Sequence, residues 1–119
     1  DRGLGSGRSE GGSVIELARE HPHEYPSGSP ALHADEVAEL APYASEWAVV
    51  DGKLTRTFTF KDFNEAFSFL TRVALLAEAE GHHPDMFCSW SRVDLSFWTH
   101  TANGLTRNDF IMAAKIDRY

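Results

Sequence analysis

Hydrophobic and polar positions alternate along this chain with two periods, and the switches between them mark the elements. From Ala34 the apolar residues Val37, Leu40 and Ala41 recur at helical spacing, with Asp35 and Glu36 in the first turn and Pro42 at the end. Trp47-Ala48-Val49-Val50 reads as a strand, and Asp51-Gly52 as a two-residue hairpin turn whose central residues need positive φ. The return strand, Leu54 to Phe60, sets Leu54, Arg56, Phe58 and Phe60 on one face and Thr55, Thr57 and Thr59 on the other. Asp62-Phe63-Asn64-Glu65 opens the longest helix with a capping-box pattern. Phe63, Phe67, Leu70 and Ala74 form its predicted apolar stripe, flanked by Ala66, Val73 and Ala77, and Gly81 is its C-terminal cap.

Two further strands follow, about Met86–Trp90 and Val93–Thr99, turning at Ser91-Arg92. In the second, Val93, Leu95 and Phe97 share the face expected to meet the helices. Thr106-Arg107-Asn108-Asp109 is another capping-box pattern, ahead of a final helix from Phe110 to Asp117. The order is therefore α-β-β-α-β-β-α. Short connections make each strand pair an antiparallel hairpin, and both hairpins turn their apolar faces the same way. The predicted class is α+β: a four-stranded antiparallel sheet with helices packed on one face.

Composition narrows the picture. The 119 residues suffice for one modest core. Six of the nine glycines lie in residues 1–30, followed closely by Pro22, Pro26 and Pro30, so this stretch is expected to be a flexible arm and residues 31–119 the domain. Within it, Val14 to Ala18 reads as one helical turn or a short strand, and residues 1–13 lack the apolar core of a secretory signal. A net charge of −7 argues against direct nucleic-acid binding and against anionic lipid. No apolar run is long enough to span a bilayer. The lone Cys88 cannot form a disulfide within the chain or a thiolate metal site, and it fits a reducing compartment; the expected location is the cytoplasm, with the nucleus also open.

The candidate chemistry lies between Glu78 and Asp109. His82 and His83 follow the helix cap and are fixed by Pro84, while His100 ends the last strand. A histidine is more often solvated or structural than catalytic, and His21, His23 and His33 read that way. The pair at 82 and 83 differs because it sits where a helix end meets a sheet edge, a rigid and accessible junction. Glu78 stands one helical turn before His82, where it could tune that imidazole or simply be solvated. Asp109 is explained by the capping box alone. Trp90 and Trp98 read as core or as stacking surfaces for a flat ligand. Adjacent histidines tend to point apart and none of His82, His83 and His100 stands in an HxH or HExxH pattern, so no metal is expected.

These residues resemble the active-site signature of the pterin-4a-carbinolamine dehydratases, also described as dimerisation cofactors of a homeodomain transcription factor. The signature reads here as Glu78, His82, His83, Pro84, Trp90, His100 and Asp109, with its intervals kept. The likeness runs from about Leu32 to Asp117 and takes in Leu54–Phe60, the Asp62-Phe63-Asn64 helix start, and Thr99-His100 followed by Gly104-Leu105-Thr106. Met86 departs from it, standing where many members carry Trp.

The resemblance implies dehydration of 4a-hydroxytetrahydropterin to quinonoid dihydropterin, in tetrahydrobiopterin recycling, by a hydro-lyase needing no cofactor. For that reaction we expect His82 and His100 to share the general acid and base work, with Glu78 tuning His82. His83 binds and positions the pterin, with Pro84, Asp85, Trp90 and Thr99 as further substrate contacts. Asp109 is expected to orient His100 or the leaving hydroxyl. It also implies a homodimer or homotetramer and allows a protein partner. The alternative is a non-catalytic assembly module serving a transcription factor or another enzyme, and retention of all three histidines favours catalysis.

Overall fold

In the computed structural model, which describes residues 16–119, the two predicted hairpins merge into one sheet. Strands β1 (Ala48–Val50) and β2 (Lys53–Thr59) form the first, β3 (Asp85–Ser89) and β4 (Arg92–Phe97) the second. Antiparallel pairing of β2 with β4 joins them in the order β1-β2-β4-β3. Asp51 and Gly52 take φ values of 52° and 74°, both positive as their turn demands. The second hairpin turns at Trp90-Ser91, one residue earlier than predicted, with Trp90 at φ 50°. A bulky aromatic in that left-handed region is uncommon.

The alternation of β4 sends Val93, Leu95 and Phe97 into the core beside Leu54 of β2. Against them lies the last helix, α3 (Arg107–Ile116), whose residues from Asn108 to Ala114 are all buried. A helix buried all round is the centre of the domain rather than a cover for it. Helix α2 (Phe63–Glu80) packs beside it, and α1 (Ala34–Leu40) lies outermost with no buried residue. Pro42 does not end the chain's helical path. It sits near the start of a 3₁₀ turn, Ala41–Ala44, where a missing N–H costs nothing. Trp47 precedes β1 instead of joining it, and its buried indole donates Nε1–H to Asp117 at 2.9 Å. The opposite face of the sheet is polar, with Thr57 donating across strands to Asp94 at 2.8 Å. The α+β class and the helices' single-sided placement stand as predicted.

The face that α2 buries is not the predicted one. Ala66, Val73 and Ala77 are buried, with Phe69, Leu70 and Leu76 partly so, while Phe63 and Phe67 stack on each other in solvent at 5.5 Å. Small residues on the inner stripe let the helix axis approach its neighbours closely, which large rings there would prevent.

The described part of the expected arm, residues 16–30, rests on the domain. Residues 16–19 are helical, Leu17 and Ala18 are buried, and Lys115 caps Ala18 O at 2.7 Å. The Asn108 amide brackets His23, accepting from its N–H at 2.8 Å and donating to its carbonyl at 2.7 Å. Gly28 N–H donates to Thr101 O. Composition registered the Gly, Pro and Ser content but not the partners waiting on α3. Val14 and Ile15 lie outside the described residues.

Glu20 clamps this segment through a two-point bond to Arg107, at 2.8 and 2.6 Å. That bond holds the Glu20 carboxyl below its ordinary range and raises Arg107. A carboxyl depressed by folding contributes stability above its unfolded value of 4.5 and loses it as pH falls further. Residues 16–30 should therefore exchange amide hydrogens faster than the strands, after intrinsic-rate correction, on acidification below pH 4.5. Glu20→Gln should show the loosened pattern already at neutral pH.

Candidate active site

Three chain segments converge beside α3: the end of α2, the end of β4 and the start of α3. Gly81, at φ 72°, closes α2, and the N–H groups of Gly81 and His82 both donate to Ala77 O, at 2.9 and 3.2 Å. This reversal throws His82 off the helical spiral and inward, where its side chain is 11% exposed. Its Nε2 lies 2.6 Å from Asp109 Oδ1, and its ring lies parallel to Phe97 at 5.9 Å. The expected pairing of Glu78 with His82 is therefore replaced. The i, i+4 relation holds only while the helix continues, and it stops at Gly81.

Asp109 is completely buried and is the third residue of α3. Its Oδ2 accepts from Thr106 N–H at 2.9 Å and from the Thr99 hydroxyl at 3.0 Å. Proton counting fixes the rest. The Thr99 hydroxyl has one proton and spends it on Asp109, so it accepts from Thr106 Oγ1 at 2.7 Å, which in turn accepts from Asn108 N–H. With Oδ2 filled by two donors and Oδ1 facing imidazole, an ionised Asp109 is satisfied by three donors, the third being His82 Nε2–H. Neutral His82 is then the tautomer with a lone pair on Nδ1. Asp109 pairs with His82, where the expectation had it orient His100 or the leaving hydroxyl.

His83 points the other way and pairs its Nε2 with Glu78 Oε1 at 2.9 Å, both side chains being more than half exposed. Such a pair orients more than it stabilises, contributing about 0–1 kcal/mol. His100 opens a 3₁₀ turn after β4 and stacks on Trp98, ring centres 3.9 Å apart. Trp98 Nε1 leans on Asp85 Oδ2 at 3.4 Å, and Lys53 Nζ lies 5.2 Å over the Trp98 ring. Pro84 is buried, and Thr99 N–H pins the His100 turn to Gly104 O at 2.9 Å.

His82, His83 and His100 line one cavity of about 340 Å³, together with Trp98, Thr99 and Asn108. That volume lies in the range of small-ligand sites and accommodates a bicyclic ring. His23, Glu24 and Tyr25 form another wall, where His23 stays exposed as expected. These three were missed because they lie more than fifty residues away in sequence and within a Pro-rich stretch; the aromatic Tyr25 there was the available signal. Trp90, a predicted substrate contact, does not line the cavity of its own chain; it is 69% exposed on the far turn of the hairpin. A larger cavity, about 640 Å³, lies among Glu16, Glu20, Glu36, Glu39 and Arg107, away from the histidines. Among the described residues no three of His, Cys, Asp and Glu gather at metal-ligand spacing.

Residues 30–119 match the family model described as pterin 4 alpha carbinolamine dehydratase. A protein of Chlorobium limicola is 54% identical over 93 residues, covering 75% of this chain and 81% of its own. One of Rubrobacter xylanophilus is 42% identical over 106 residues, covering 88% and 99%. Both carry the name "Putative pterin-4-alpha-carbinolamine dehydratase". Among solved structures, a transcriptional coactivator/pterin dehydratase from Brucella melitensis superposes with a TM-score of 0.70 at 40% identity, covering 74% of this chain and 96% of that one.

Removing the buried carboxylate leaves Thr99, Thr106 N–H and His82 without their acceptor. Asp109→Ala should lower unfolding free energy by about 2–4 kcal/mol in urea titration. Glu78→Ala, at a solvated pair, should cost under about 1 kcal/mol in the same titration.

Proposed function

Because the chain belongs to the pterin-4a-carbinolamine dehydratase family, whose members are hydro-lyases, we propose that it dehydrates 4a-hydroxytetrahydropterin to quinonoid dihydropterin by histidine acid–base catalysis. The observation that carries the reading is the convergence of His82, His83 and His100 on one cavity, with His82 backed by a buried carboxylate.

The reaction breaks the C4a–O bond, delivers a proton to the departing hydroxyl and removes the proton from N5. Water leaves, and a C4a=N5 double bond forms. Both proton steps suit groups that titrate near neutral pH, as imidazole does. His82, with Nε2–H held by Asp109, has its Nδ1 lone pair for the N5 proton, and Asp109 then neutralises the imidazolium. His100 has no carboxylate partner among the described residues and protonates the leaving hydroxyl. His83, oriented by Glu78, positions the pterin, and the Trp98–His100 stack supplies a flat wall. Pro84 and Asp85 act through that wall, the one fixing His83 and the other holding Trp98. In a cell the reaction would serve tetrahydrobiopterin recycling, in the cytoplasm with the nucleus also open, and no helix of the described residues is long and apolar enough to cross a membrane. A homodimer or homotetramer is the proposed assembly.

The Brucella protein is described as both a transcriptional coactivator and a pterin dehydratase, and this supports a second reading in which the domain also engages a protein partner. Carbinolamine turnover separates catalysis from a purely assembling role. His82→Ala and His100→Ala should each lower kcat by about 10²–10⁴ in a stopped-flow ultraviolet assay. His83→Ala should act mainly on KM. Wild-type rates in the first two variants would remove the mechanism.

A further inference from the structure

One wall of the histidine cavity is left idle by the proposed chemistry: the strap of His23, Glu24 and Tyr25. It precedes residues 30–119, which match the family model, and so lies outside the signature from Glu78 to Asp109. It is nevertheless held firmly. The Asn108 amide brackets the His23 backbone at 2.8 and 2.7 Å, and Gly28 N–H donates to Thr101 O at 2.9 Å. His21 Nδ1 lies 2.9 Å from Glu80 Oε1. Glu24 thus follows directly on a residue clamped to Asn108, the neighbour of Asp109 in α3.

Counting partners shows which lining groups remain for a ligand. The Thr99 hydroxyl is spent on Asp109 and Thr106, and His82 Nε2 on Asp109. His83 Nε2 is spent on Glu78, and both ends of the Asn108 amide go to His23. Glu24 supplies the one carboxylate among the lining residues. Nearby Glu20 and His21 pair with Arg107 and Glu80, whereas Glu24 has no hydrogen-bond or ion-pair partner among the described residues. A carboxylate offers two acceptor oxygens and no donor. The ligand edge that suits it therefore carries two parallel N–H groups.

A pterin has one such edge. Its N3–H and 2-amino group stand side by side, and C2 lies directly across the pyrimidine ring from C4a. When the C4a–N5 unit meets His82 and His100, this donor pair is turned away from those imidazoles. Among the lining side chains only Glu24 can accept from both donors. Histidines by themselves do not separate a pterin from another flat heterocycle. An acceptor pair does, because a ligand lacking the donors leaves it desolvated and unanswered.

We propose that Glu24 binds the N3–H and 2-amino edge of the pterin and makes the cavity selective for a 2-aminopyrimidinone ring. Glu24 is thus a specificity-determining residue supplied by the strap. This deepens the dehydratase reading and rests on it.

Fluorescence titration of the full chain tests the contact without turnover, using unsubstituted pterin and 4-oxopteridine, which lacks the 2-amino group. The wild type should bind pterin about tenfold to a hundredfold more tightly than 4-oxopteridine, as one charge-assisted contact provides. Glu24→Gln, at an exposed position without partners, should keep the fold and abolish that preference. Its affinity for 4-oxopteridine should stay within about twofold of wild type. With the carbinolamine, the same variant should raise KM about tenfold at unchanged kcat, since this edge is remote from the bonds that change.

A preference that survives in Glu24→Gln overturns the proposal. So does equal weakening of both probes, which would mark Glu24 as a structural support. An effect confined to pterins with a C6 side chain would assign Glu24 to that tail and overturn it equally. A wild type that binds no pterin removes the dehydratase reading and this contact together. Wild-type binding that Glu24→Gln leaves intact removes this contact alone.

Discussion

The structure around the cavity depends on one buried carboxylate. Taking Asp109 out of water costs several kcal/mol unless every lone pair finds a donor, and here donors arrive from three segments. Thr106 N–H belongs to the start of α3, the Thr99 hydroxyl to the end of β4, and His82 to the exit of α2. The charge is tolerable only when all three segments are in register. The same requirement aims His82 and fixes its tautomer, so the condition for folding and the condition for the proposed general base coincide.

Around that point the fold divides its labour. The centre of α3 and the inner face of β4 are apolar and closely packed, giving a rigid floor. The groups proposed to handle protons lie at element ends, where backbone geometry can depart from a spiral or a pleat. Gly81 redirects the chain after α2, and the turn after Thr99 presents His100 flat against Trp98. The segment from Glu16 to Pro30 completes the enclosure from outside, tied down by Asn108 and Arg107, which flank the site residues on the same helical turn.

What the amino-acid sequence determined by itself is local in physical origin. Alternation in β2 and β4 marked the buried face, positive-φ demand marked Asp51-Gly52, and Gly81 marked the end of α2, because these signals act over a few residues. The spacing from Glu78 to Asp109 likewise marked out which histidines to watch. Only the tertiary structure decided their partners: His82 with Asp109 and not Glu78, His83 with Glu78, His100 on Trp98. Pairing across 27 residues depends on how three elements pack, which no spacing encodes. The same holds for α2, where Ala66, Val73 and Ala77 displaced the larger Phe63 and Phe67 from the core because close approach to the neighbouring elements outweighed ring size. It holds too for residues 16–30, whose polar, Gly- and Pro-rich composition suggested freedom until Asn108 and Arg107 supplied the bonds that hold them.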